Sequence, residues 1–176
     1  MTNEELKGQH EKAAGDRFTE YYNKENKANF VFKKQPPPPK PDLIYYDEKK
    51  NKAIGIEVVD AYYDEHDAKG TWNIARGKTR NSDSGLLINP DEKLAEFISD
   101  RIKIKCGKTY SFSDSIILLV VTRPTLTEDK QDFQNNVLPH IKLPNYITLS
   151  EIYLELNLPP SYRHYLRLYP GSGYTI

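Results

Sequence analysis

Pro41-Asp42-Leu43-Ile44-Tyr45-Tyr46 and Ala53-Ile54-Gly55-Ile56-Glu57-Val58-Val59 are two runs rich in aliphatic and aromatic residues, separated by the polar stretch Asp47 to Lys52. Runs of this composition bounded by turn residues read as strands, and so short a polar connection makes the pair a hairpin. Asp42 opens the first strand and Glu57 lies near the end of the second, so antiparallel pairing brings the two acids together. Glu57 stands inside an apolar run, where a buried carboxylate is costly unless a cation or another partner satisfies it.

Upstream of the hairpin, Glu4 to Tyr22 reads as a helix, with Ala14, Phe18, Tyr21 and Tyr22 forming an apolar stripe. Asn29 to Phe32 reads as a short strand. Pro36 to Pro39 is expected to form a polyproline II connector, the alternative being a ligand for an SH3-like partner. Downstream, Asp64 to Ala75 has the composition of a helix and Arg76 to Asn89 that of a loop. Asp91 to Lys105 reads as a helix with Leu94, Phe97, Ile98 and Ile102 on one face. Ile116 to Val121 is a continuous apolar run, as expected of a strand at the sheet centre covered on both sides. A helix over Glu128 to Val137, a strand at either Tyr146 to Leu149 or Ile152 to Leu156, and a last strand near Tyr165 to Tyr169 complete the reading. The order predicts an α/β fold, a central mixed β-sheet flanked by helices, in a single domain spanning residues 1–176.

Pro41-Asp42, a variable turn and Gly55-Ile56-Glu57-Val58 together resemble the proline-aspartate and glutamate-x-lysine signature of the PD-(D/E)XK, or restriction-endonuclease-like, nucleases. The resemblance covers roughly residues 4 to 121 in element order: helix, strand, hairpin, helix, strand. It implies a restriction-endonuclease-like core and metal-dependent hydrolysis of DNA phosphodiesters, with Mg²⁺ or Mn²⁺ held by Asp42, Glu57 and Val58. The first helix of such proteins often supplies another acid. Gly8-Gln9-His10-Glu11 is similar to the glycine-x-x-glutamate of Holliday-junction-resolvase-like members, which makes Glu11 the first choice and Glu20 the second.

The chain departs from the signature where the catalytic lysine belongs, two residues after the glutamate, because that position is Val59. In divergent members the lysine comes from another element, so Lys78, Lys103, Lys105 and Lys108 are candidates. Lys105 is preferred because Ile98, Ile102, Lys105, Lys108 and Tyr110 resemble the corresponding helix of bacterial relatives. If no lysine substitutes, the same fold is expected to be a catalytically inactive module that binds nucleic acid or a protein partner. Arg76, Lys78 and Arg80 form a basic stretch suited to phosphate contact, and Tyr62, Tyr63 and Trp72 could stack on bases or pack under the sheet. DNA is the expected partner, and the family analogy extends to a homodimer or a larger defence or processing complex.

Composition bounds the alternatives. The 25 basic residues balance the 25 acidic ones, so no global positive field favours polyanions, although a local basic wall suffices for an enzyme. Cys106 is the single cysteine, which excludes an internal disulfide and a cysteine-rich zinc site. The cytoplasm is the expected location, since the N-terminal stretch lacks the apolar core of a signal peptide and no apolar run is long enough to span a bilayer. His10, His66, His140 and His164 are scattered, and neither a phosphate-binding glycine loop nor a Gly-x-Ser-x-Gly elbow is present.

Overall fold

The computed structural model describes residues 2–61, 89–122, 127, 129–158 and 162–170. The helix expected over Asp64 to Ala75, the basic residues Arg76, Lys78 and Arg80, and Tyr62, Tyr63 and Trp72 lie outside the described residues.

Helix α1 (Asn3–Asn26) begins in a capping box: Glu5 N–H donates to Thr2 Oγ1 and Thr2 N–H donates back to Glu5 Oε2. It runs past the expected end at Tyr22 and stops where Lys27 takes a left-handed backbone conformation. Strand β1 (Val31–Lys34) starts two residues later than expected. The proline run that follows is not a continuous polyproline II segment: the chain turns there and the Pro38-Pro39 peptide is cis.

Strands β2 (Leu43–Asp47) and β3 (Lys52–Ala61) form the expected hairpin, with Leu43 opposite Ile56 and Asp47 opposite Lys52. The Asp47 carboxylate accepts the Lys50 N–H and holds the turn, while Asn51 takes a positive φ of 48°. Helix α2 (Pro90–Cys106) leads into β4 (Ser115–Thr122). A short helix α3 (Lys130–Asn136) and a 3₁₀ turn at Leu138–His140 precede β5 (Glu151–Leu158) and β6 (Tyr162–Tyr169). Of the alternatives for the fifth strand, Tyr146 to Leu149 is irregular and Ile152 to Leu156 is the strand.

The strands line up in chain order as one six-stranded mixed sheet. β1, β2 and β3 are antiparallel, β4 and β5 add in parallel beyond β3, and β6 returns antiparallel. Parallel neighbours require crossovers, which is why α2 and α3 fall between them. β4 is central and buried apart from Ser115 at its start.

Alternation along the strands divides the core in two. On one face, Ala14 and Phe18 of α1 cover Leu43, Tyr45, Ile54, Ile56, Ile117 and Leu119. On the other, Leu94, Ala95, Ile98 and Ile102 of α2 and Phe133 of α3 cover Leu118, Val120, Ile152 and Leu154. Phe97, expected on the buried face of α2, is only partly buried; Ala95 and Cys106 take that place. Close approach of α1 to β2 depends on Gly15, whose added Cβ would strike Leu43 Cδ1 and lie 2.8 Å from Tyr45 Oη. Among the described residues no helix is long and apolar enough to cross a membrane.

Candidate functional site

Because Leu43 pairs with Ile56, the next step of the antiparallel register sets Asp42 against Glu57. The Val58 N–H donates to Asp42 Oδ2 at 2.9 Å, and the Asp42 N–H reaches Glu57 Oε2 at 3.3 Å. Val58 thus meets Asp42 through its own amide. Glu57 shares its sheet face with Val59 and Ala61, the face covered by α2, and is 2% exposed. An ionised carboxylate at such depth requires a partner.

That partner comes from α2. Lys105, in its last turn, places Nζ 2.5 Å from Glu57 Oε1, and Lys108, just beyond the helix, places its own at 3.6 Å. The two ammonium groups are unequally held: the Lys105 side chain is 14% exposed and that of Lys108 is 50% exposed. Lys103 is exposed and makes no ion pair with Glu57 among the described residues, and Lys78 lies outside them. The Tyr110 phenol is pushed above its ordinary range by burial and then by the charge of Glu57, and its buried hydroxyl forms no well-shaped hydrogen bond.

From the other face of the sheet α1 brings Glu11, which is 8% exposed. Its carboxylate pairs with Lys7 at 3.2 Å and accepts a long 3.3 Å hydrogen bond from Gln35 Nε2. Glu20 is exposed, nine residues and therefore about 13 Å further along the helix axis, which favours Glu11 of the two candidates. The electrostatics tie the three acids together. Burial, then the charges of Glu57 and Glu11, lift the Asp42 carboxyl to about 6, against the pull of the Val58 N–H and of Lys105. Lys7 is raised mainly by Glu11, with Asp42 and Glu57 adding to the effect.

Three carboxylates, Glu11, Asp42 and Glu57, therefore face three ammonium groups, those of Lys7, Lys105 and Lys108. Among the described residues no group of three or more His, Cys, Asp or Glu side chains converges as a ready-made metal cage. A small hard cation that keeps most of its water needs only one or two carboxylates, and Asp42 with Glu57 meets that requirement. The upward displacement of Asp42 comes first from burial and then from the neighbouring charges of Glu57 and Glu11, both of which a cation beside it would offset.

Sequence reasoning missed a further pair beside this site. His10 Nε2 lies 2.9 Å from Asp60 Oδ1, linking the residue before Glu11 to the residue three after Glu57. His10 fills only a variable position of the glycine-x-x-glutamate stretch, and the separation of 50 positions left no local signal for its pairing with Asp60. No family model, no curated protein and no solved structure matches this chain.

Proposed function

We propose that this chain is a divergent restriction-endonuclease-like phosphodiesterase that cleaves DNA with Mg²⁺ or Mn²⁺. The observation that carries the reading is the Lys105 ammonium on Glu57: the signature lacks its lysine at Val59, and a lysine from α2 stands at the same carboxylate. The chain order α1, β1, β2, β3, α2, β4, with an antiparallel meander extended by a parallel strand, agrees with the element order of that fold.

In this reading Asp42 and Glu57, with the Val58 carbonyl, hold the ion, and Glu11 adds negative charge from α1. The ion would supply Lewis acidity toward the phosphate and a water more easily deprotonated at neutral pH. Lys105 orients the attacking water or offsets charge on the phosphate, while the more exposed Lys108 is placed to reach a phosphate oxygen. Arg76, Lys78 and Arg80 would supply further backbone contacts.

One observation favours a second reading, a module of the same fold that binds nucleic acid or a protein without catalysis. The site is already charge-balanced by its own lysines, so Glu57 is satisfied without a metal. Incubation of plasmid and single-stranded DNA with the protein in Mg²⁺ or Mn²⁺ separates the two. Cleavage that disappears in Asp42→Ala and in Glu57→Ala, both still folded, is expected; equal cleavage by both variants, or none by the wild type, would count against the enzyme.

A further inference from the structure

We propose that His10 and Asp60 form a positioning pair that fixes Glu11 relative to Asp42 and Glu57, an assignment that rests on the metal-dependent reading above. Successive residues on a helix point about 100° apart, so anchoring the His10 ring fixes the direction in which Glu11 leaves α1. The anchor lies on β3 itself: Val58 belongs to the α1-facing core, and Asp60, two residues on, projects from the same face. The strand that carries Glu57 on one side thus carries on its other side the residue that holds the helix bearing Glu11.

Among the described residues, further polar ties of α1 to the sheet lie along the helix at Asp16 with Tyr45, Arg17 with Glu155 and Tyr22 with Glu151. Near Glu11, Gln35 Nε2 reaches Gly8 O and Glu11 Oε2 at 3.3 Å each, both long contacts. The 2.9 Å contact of His10 with Asp60 is shorter than either, and both side chains are more than three-quarters shielded from solvent, at 24% and 18% exposure. Glu11 influences Asp42 through charge, which falls with distance, so a small rotation of α1 alters the negative field at the ion's place.

Isothermal titration of Mn²⁺ into the wild type, His10→Ala, Asp60→Ala, Asp60→Asn, Glu11→Gln and the double variant His10→Ala/Glu11→Gln tests this without relying on cleavage. Each protein is first checked for wild-type thermal unfolding. Loss of the pair is expected to weaken Mn²⁺ binding about tenfold, the scale on which partners behind a metal ligand act. Asp60→Asn keeps an oxygen acceptor for the ring N–H and is expected to bind within about twofold of the wild type. In the Glu11→Gln background His10→Ala should cost nothing more, because its effect runs through Glu11.

Wild-type affinity in His10→Ala, or losses that multiply in the double variant, would overturn the positioning role alone. Absence of Mn²⁺ binding by the wild type would overturn it together with the metal-dependent reading.

Discussion

Lys105 Nζ lies 2.5 Å from Glu57 Oε1, so the last turn of α2 reaches the one carboxylate that β3 buries beside Asp42. Val59, where the signature has its lysine, is instead partly buried against the α2-side core. In the proposed reading, an apolar residue stands where the signature has a cation on the strand, and a lysine of the covering helix meets the same carboxylate.

The two lysines on Glu57 should differ in energetic weight. Lys105→Met leaves the buried carboxylate with the longer Lys108 contact and the Asp42 N–H, and is expected to cost about 3 kcal/mol, the low end of the scale for a broken buried ion pair. Lys108→Met removes a half-exposed partner and should cost less than about 1 kcal/mol. Urea denaturation of both variants checks this, and equal losses would contradict the ranking.

Asp42 should make stability fall as pH rises. Burial pushes its carboxyl in the folded protein up to about 6 from the ordinary 3.8, so between those values the folded protein binds the proton more tightly than the unfolded chain. Above pH 6 the ionised, crowded carboxylate costs on the order of 3 kcal/mol. Asp42→Asn, which keeps an oxygen to accept the Val58 N–H, should therefore be more stable than the wild type at pH 7. The difference should vanish as pH falls toward 4. Thermal unfolding across that range in metal-free buffer gives the comparison; a variant less stable at pH 7 would contradict the assigned shift.

Glu155 on β5 is a structural counterpart to Glu57. It is 0% exposed and accepts from Arg17 of α1 at 3.0 Å and from the Tyr165 hydroxyl at 3.2 Å, with Arg163 at 3.8 Å. Glu155→Ala should lower unfolding free energy by about 3 kcal/mol, because the Arg17 head group loses its buried partner. Mn²⁺ affinity should not change, since β4 separates β5 from β3. Denaturation combined with titration tests both parts.

Gly15→Ala should destabilise by about 2 kcal/mol through overpacking, since its Cβ would collide with Leu43 Cδ1 and crowd Tyr45 Oη. Because Leu43 adjoins Asp42, the same variant is expected to weaken Mn²⁺ binding; chemical denaturation and titration would show whether both effects appear.

What the sequence made readable was the part governed by local pattern. The hairpin, the helix bearing Lys105 and the central strand follow from apolar periodicity and turn residues, and pairing of Asp42 with Glu57 follows from hairpin geometry. The preference for Glu11 over Glu20, and for Lys105 over Lys103, came from the resemblance alone; local pattern did not say which side of each helix meets the sheet, which is where Glu11 and Lys105 lie while Glu20 and Lys103 are exposed. Two things left no trace in local pattern. The His10–Asp60 pair spans 50 residues with no shared motif, and the 3:3 balance of acids and lysines is assembled from α1, the residue before β2, β3, the last turn of α2 and Lys108 just beyond it. The polyproline II expectation failed at Pro38 and Pro39, where the chain turns, because proline composition fixes φ but leaves ψ free to fold the chain back.

Relocation of the lysine is tested most directly by the single-turnover rate of Mn²⁺-dependent plasmid nicking in the wild type, Lys105→Met and Lys105→Met/Val59→Lys. Residue 59 shares its sheet face with Glu57, so a lysine there returns the cation to the strand. The expected result is a loss of at least about hundredfold in Lys105→Met, the scale of a group acting on developing charge, with a recovery of about tenfold or more in the double variant. Nicking by Lys105→Met at the wild-type rate would contradict the assignment of Lys105 to the site.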